Sequence, residues 1–506
     1  MSRESSRRPC LAVSGLCAAL IAVAGCTAPA TSLTARGHRV ADVSTAAAAS
    51  HRTIHWRPCA GHPAVDCGTL ILPVDWAHPD GATFALALAR RRAASPGQRI
   101  GSLIVDPGGP GGSGVAMVEY KDPFPARLRA RFDIVGFDPR GSGASNPITC
   151  DAPVLAAAPA VDPATPAGFT ALAAYNRRLA ADCRHRSGDI FAHADDLSVV
   201  RDIDAIRAAL GDARLTFYGV SYGTLMGQQY AQVFPGRVRA LALDSNTDHS
   251  LPGTILGINS AASDEDSFAQ FALWCTTTAR CALHGRDTGT LFDQLYHRAL
   301  AGILTVPGHL GQPLPPAALI RLTEEDLRTP DAWTDLAAAL AAAAAEPPGP
   351  ARPQAGTPFP EQPDPYAMAA LCADFSASFA GAGQVAAELR QMNAAAPHTH
   401  LDALSWQPVL ACLGRPGATV NPPQRYHIPQ SVPPILMING LHDPATPYTW
   451  AVRIARQIPQ ATLVTYDGWG HGVYSQSPCA REITDTYLIS LQLPPRGTHC
   501  PALPPG

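Results

Sequence analysis

The sequence predicts an α/β fold in which a mostly parallel sheet is flanked by helices and a mainly helical cap is inserted before the last core strands. Two observations predict the sheet and one predicts the insertion. Short apolar, β-rich runs alternate with helical periodicity between Leu103 and Leu243, and the same kind of run returns at Pro434–Ile438 and Ala461–Tyr466. Between them the pattern breaks after Asp248 and becomes mostly helical.

Taken in order, residues 1–25 read as a lipoprotein-type signal peptide. Arg3, Arg7 and Arg8 precede an apolar stretch, Leu11–Val23, that is too short to span a bilayer comfortably. The stretch ends in Val23-Ala24-Gly25-Cys26, which resembles a lipobox, so Cys26 is the expected lipid anchor. Ser6-Arg7-Arg8 also fits a twin-arginine signal, and both export routes stay open. Residues 26–54 are rich in Ala, Thr and Ser and read as the anchor cysteine and a flexible tether. The first part of the core is expected over 55–247. It contains the strand runs Leu103–Val105, Asp133–Phe137, Leu215–Tyr218 and Val238–Leu243, with Leu197, Val200, Ile203 and Leu210 marking one helix face. The helical cap is expected over 248–425, with a Pro-rich and Ala-rich loop from about Ala341 to Pro365, and the second part of the core over 426–506.

With 506 residues, 46% of them hydrophobic, the chain can bury a large core. A formal charge of −3, a single lysine at Lys121 and the lack of any basic run argue against nucleic acid as a partner. Of thirteen cysteines, Cys10 and Cys17 fall in the signal and Cys26 at the anchor. The remaining ten are Cys59, Cys67, Cys150, Cys183, Cys275, Cys281, Cys372, Cys412, Cys479 and Cys500, an even set that suits disulfides in an exported chain. Pairing neighbours in order closes five short loops, although other pairings satisfy the count equally. No Cys-x-x-Cys spacing supports a metal site, and no cofactor is implied.

The chemistry concentrates in four segments. Gly219-Val220-Ser221-Tyr222-Gly223 has the form of a nucleophile elbow, preceded by a β run and followed by a helical stretch that ends at Pro235-Gly236. A serine needs a base, and the base needs an acid that fixes its tautomer. In the chain order expected of an α/β-hydrolase, Asp443 follows the strand ending at Ile438 and His471 follows the strand ending at Tyr466. His442 and Asp467 compete for these roles from neighbouring positions. The oxyanion would be held by the amide of Tyr222 and by the glycine loop Asp106–Gly114, with Gly108 or Gly109 as the second donor. No Gly-Lys-Ser or Gly-Lys-Thr closes that loop, which argues against phosphate binding.

These segments, with Gly136-Phe137-Asp138-Pro139-Arg140-Gly141-Ser142-Gly143 and Gly470–Cys479, resemble the secreted tripeptidyl aminopeptidase family, relatives of the proline iminopeptidases. The likeness runs from about Trp56 to Cys500 and takes in Trp56–Cys59, Cys67–Leu70, Glu265–Phe268, Trp274-Cys275 and Cys281–Leu283. It implies Ser221 as nucleophile, Asp443 as acid and His471 as base, and peptides as substrates. Two departures stand out: Asp106 where the family usually has Asn, and Asp244-Ser245-Asn246-Thr247 where it usually has Asp-Gly. An aminopeptidase also needs carboxylates that face the substrate ammonium, for which Glu265, Asp266 and Asp374 are candidates; a capping role for the acidic run after Ser263 competes with that reading. The expected function is an exported serine peptidase removing short N-terminal peptides or residues through an acyl-enzyme. A carboxylesterase or lipase with the same triad, or an inactive binding lipoprotein, are the alternatives. The expected location is extracytoplasmic, either lipid-anchored at the cell membrane or secreted.

Overall fold

The computed structural model describes residues 53–306, 312–349, 364–375, 378–400, 410–415 and 419–506. The signal segment, Cys26, the tether up to residue 52 and most of the expected loop before Pro365 lie outside the described residues.

Ten strands form one sheet: β1 (His55–Cys59), β2 (His62–Pro73), β3 (Thr83–Arg91), β4 (Gly101–Asp106), β5 (Phe132–Phe137), β6 (Leu215–Val220), β7 (Val238–Asp244), β8 (Ile435–His442), β9 (Ala461–Trp469) and β10 (His499–Cys500). Their spatial order is β1-β2-β3-β5-β4-β6-β7-β8-β9-β10. Pairing is antiparallel from β1 to β5 and parallel from β5 to β10. The antiparallel strands β1 to β3 are not among the runs anticipated from the sequence; in β3 and the end of β2 buried and more exposed residues alternate, as in a sheet with one face on the core. Strands β4 and β5 are buried along their whole length.

Alternate side chains of the sheet feed two cores. On one face Ile104, Val135, Phe217, Leu241 and Met437 pack with Val199, Ile203 and Ile206 of the helix Asp196–Ala209 and with Leu225, Met226 and Tyr230 of the helix Gly223–Val233. On the other, Leu103, Val105, Ile134, Tyr218, Ala242 and Ile438 pack with Val118, Leu128, Tyr487 and Leu488. Between β7 and β8 the chain forms the helices Gly253–Thr277, Thr288–Leu300, Pro316–Leu327, Trp333–Ala345, Pro365–Asp374 and Ala382–Ala395. Four of these share a separate aromatic core around Phe268, Phe271, Phe292 and Trp333. The alanine run from Ala341 continues a helix to Ala345 rather than opening a loop; alanine is the best helix former, and Leu340 and Ala343 give the run a buried side. Disulfides join Cys59 to Cys67, Cys150 to Cys183, Cys275 to Cys281, Cys372 to Cys412 and Cys479 to Cys500. Among the described residues no helix is long and apolar enough to cross a membrane.

Because β6 follows β5 in sequence but pairs with the far side of β4, the chain reverses its winding between β4 and β6. Loops diverge at such a point and leave a crevice beyond the carboxyl ends of the strands. Asp106 pairs with Gly219 there, so the glycine loop after β4 and the turn after β6 emerge side by side.

Arg140, just beyond β5, braces this edge from below. Its guanidinium, fully buried, makes two bonds of 2.7 and 2.6 Å to Asp202 and donates to the carbonyls of Val74 and Pro73. It thereby ties β2, β5 and the helix Asp196–Ala209 at one point. Asp202 is equally buried, and removing one member of such a pair strands the other's charge. Arg140→Met should cost about 3–5 kcal/mol in unfolding free energy by urea denaturation; a loss below about 1 kcal/mol would show that the brace is dispensable.

Candidate active site

At the end of β6 the chain turns into the helix Gly223–Val233 in a single step, and Ser221 occupies the left-handed region at φ 56°. A non-glycine residue held there is strained and persists only where its surroundings over-determine it. The Ser221 amide donates to the Asp244 carbonyl at 2.9 Å, and its own carbonyl accepts from the Thr224 amide and hydroxyl. Gly223 leaves no space for a side chain, since a Cβ there would stand 2.7 Å from Asp106 Oδ1. Gly108 is equally constrained: at φ 84° a Cβ would stand 2.3 Å from the Val220 carbonyl oxygen and 3.0 Å from the Tyr222 nitrogen. The glycine loop therefore lies directly against the serine turn.

His471 and Asp443 meet beside it. His471 Nδ1 bonds both carboxylate oxygens of Asp443, at 2.9 and 3.0 Å, which directs Nε2 away from the acid. Asp443 is fully buried and also accepts from the amides of Ala445 and Thr446 and from the Thr446 hydroxyl, each at 2.9 Å. Burial alone would raise its pKa; the adjacent His471 and the bonds it accepts outweigh that and hold its carboxyl below the ordinary carboxylate value. The competing residues lie elsewhere. His442 Nδ1 bonds Asp266, and Asp467 bonds His499 near the surface.

Several residues that fix this geometry were not singled out for a role from the sequence. The buried side chain of Asp244, at the end of β7, accepts from Tyr218 Oη and from the amides of Val473 and Tyr474, and so holds the chain just after His471. Ser245 Oγ accepts from the Gly472 amide. The Asn246 amide donates to Asn439 Oδ1 at 2.6 Å, and Asn439 Nδ2 donates to the Thr446 carbonyl, which clamps the Asp443 loop to β7. The departure Asp244–Thr247 was visible in the sequence, but its four residues carried no motif that announced a clamp.

Of the two glycines considered for the oxyanion, Gly108 already donates its amide to Asp106 Oδ1 at 2.7 Å. That bond leaves the Gly109 amide as the remaining glycine candidate beside the amide of Tyr222. The three carboxylates considered for a substrate ammonium separate clearly. Asp374 is fully buried and accepts from Tyr222 Oη, the Asp196 amide and Asn421 Nδ2; it is a structural acceptor with no open face. Glu265 is engaged by the amides of His398 and Thr399 and the Thr399 hydroxyl. Asp266 remains partly open, with 45% of its side chain exposed while it bonds His442 beside the acid loop.

A parallel sheet with a strained serine beneath a glycine loop and a paired histidine and aspartate on the next strand ends defines a serine hydrolase of the α/β-hydrolase fold. A family model described as TAP-like protein matches residues 400–500. The serine protease Hip1 of Mycobacterium tuberculosis is 32% identical over 487 residues, covering 88% of this chain and 91% of that protein. The tripeptidyl aminopeptidase of Streptomyces lividans is 30% identical over 499 residues, covering 92% and 89%. Carboxylesterase B of Mycobacterium tuberculosis is 32% identical over 463 residues, covering 86% of each. The chain belongs to the TAP-like family of α/β-hydrolases.

If Asp443 orients His471, Asp443→Asn should lower kcat by about 10³–10⁴-fold through the wrong tautomer while the fold persists. Steady-state kinetics beside circular dichroism checks this, and a folded variant within ten-fold of the parent would remove Asp443 from the acid's role.

Proposed function

We propose that the protein is an exported serine peptidase that releases short peptides or single residues from the free N-terminus of its substrates. The observation that carries this reading beyond hydrolysis in general is Asp266, a half-open carboxylate on the helix Gly253–Thr277 beside the Asp443 loop. The same helix touches that loop again through Ser263 Oγ, which donates to the Asp443 carbonyl at 2.7 Å. A carboxylate in this place can take the ammonium of a peptide lying across the site, at a fixed distance from the serine. Relatives named as a serine protease and a tripeptidyl aminopeptidase support it.

The chemistry follows from the positions. His471 Nε2 takes the Ser221 proton as the oxygen attacks the scissile carbonyl, and Asp443 stabilises the imidazolium. The amides of Tyr222 and Gly109 hold the oxyanion. The leaving amine departs with the proton from His471, and water, activated by the same imidazole, releases the acyl group from Ser221. Export through the segment 1–25, anchoring at Cys26 and an extracytoplasmic location complete the proposal, with the helices of 248–425 as the cap over the site. Five disulfides suit that oxidising surrounding.

A carboxylesterase is the second reading, favoured by the equally similar relative of that name. A panel of free-amine and N-acetylated tripeptide amides with short acyl esters separates the two. Serine-dependent cleavage of the free-amine peptides, abolished in Ser221→Ala, is the expected result; cleavage of esters alone would replace the peptidase reading with the esterase one. Asp266→Asn should raise KM for the free-amine peptides about ten-fold and leave ester turnover unchanged. Equal effects on both substrate types would show that Asp266 shapes the site without reading the ammonium.

A further inference from the structure

Asp106 ends β4 directly beneath the two walls of the site. It is fully buried, its Oδ1 holds the Gly108 amide, and its Oδ2 is sealed from solvent with no hydrogen-bond partner among the described residues. Gly223 of the serine turn leaves only enough room for that same Oδ1. The titratable groups that face it are Asp138 beyond β5, Asp196 at the start of the helix Asp196–Ala209 and Tyr366 of the helix Pro365–Asp374. None of the three is a cation, and Arg140, the buried cation of this region, is committed to Asp202. An ionised Asp106 would thus be an unpaired charge without water, next to another acid.

We infer, on the serine-hydrolase reading of the site, that Asp106 is a positioning residue of the oxyanion loop and must be a neutral acid for turnover. Its Oδ1 fixes Gly108 against the serine turn. Its ionisation sets a negative charge on the far side of Gly108 from the place where the tetrahedral intermediate gathers its own. Like charges at such a separation, out of water, oppose one another strongly, whereas the neutral acid keeps the anchor without the repulsion. The surroundings keep it neutral into the working range: burial, helped by Asp138 and opposed by the Gly108 bond, pushes its carboxyl up to about 7. For an acid the sign is fixed: the competent, protonated form is lost as pH rises through that value, so the residue generates an alkaline limb. An asparagine at this position offers the same oxygen to Gly108 and cannot ionise.

The test is kcat against pH for a chromogenic short acyl ester, with the parent, Asp106→Asn, Asp106→Ala and Ser221→Ala, each checked by circular dichroism. In the parent, kcat should fall by about fifty-fold between pH 7 and pH 9. Asp106→Asn should stay within about two-fold of its plateau over that range with KM unchanged, and Asp106→Ala should be slower at every pH because Gly108 loses its anchor. A parent profile that is flat above neutrality overturns the inference without any variant. So does a folded Asp106→Asn that keeps the alkaline limb while Ser221→Ala is silent, an outcome that leaves the serine mechanism standing. Turnover by Ser221→Ala at the parent rate would overturn both.

Discussion

The site depends on one buried side chain at the end of β7. Asp244 accepts the Ser221 amide on its carbonyl and the Val473 and Tyr474 amides on its carboxyl, while Tyr218 donates to it from the neighbouring strand. Ser221 and His471 follow strands on either side of β7, separated by 249 intervening residues in sequence (471 − 221 − 1), and this one residue bonds the backbone at or next to both. Burial pushes its pKa up against the bonds it accepts, which means that the geometry is held at some cost in solvation. Asn246 and Asn439 extend the same device to the acid loop. Three loops with glycine-rich, intrinsically loose sequences thereby become a fixed constellation.

The parallel part of the fold was legible because a strand buried on both faces must be apolar throughout, as Leu103–Val105 and Ala240–Leu243 are. Ser221, Asp443 and His471 were legible because each stands just past such a strand within a short glycine-bearing loop. The antiparallel strands β2 and β3 escaped although each carries an apolar run, Leu70–Leu72 and Phe84–Ala89, because Ile71 and Ala85 face away from the core and nothing in the composition tells them from the buried Leu70, Leu72, Phe84 and Leu86. The clamp around Asp244 escaped for a different reason. Its partners are backbone amides of residues 473 and 474, and which amides a carboxyl meets is decided by the register of β7 against β8, which no local pattern records.

The acidic candidates show the same limit. Glu265, Asp266 and Asp374 have the same chemistry in sequence, yet one is tied to the His398–Thr399 backbone, one stands half open beside His442 and one is sealed beneath Tyr222. Charge is written in the sequence, whereas accessibility is a property of the packed helices. Gly108 and Gly109 likewise look interchangeable until the bond from Gly108 to Asp106 distinguishes them.

The strand order has a temporal consequence. A ribosome delivers the serine turn, the glycine loop and all of β1 to β7 long before β8 and β9, which bring Asp443 and His471. Ser221 has neither Asp443 nor His471 near it until the last seventy or so residues add themselves to the open edge of β7. The assembled constellation is therefore a late product of closing the sheet.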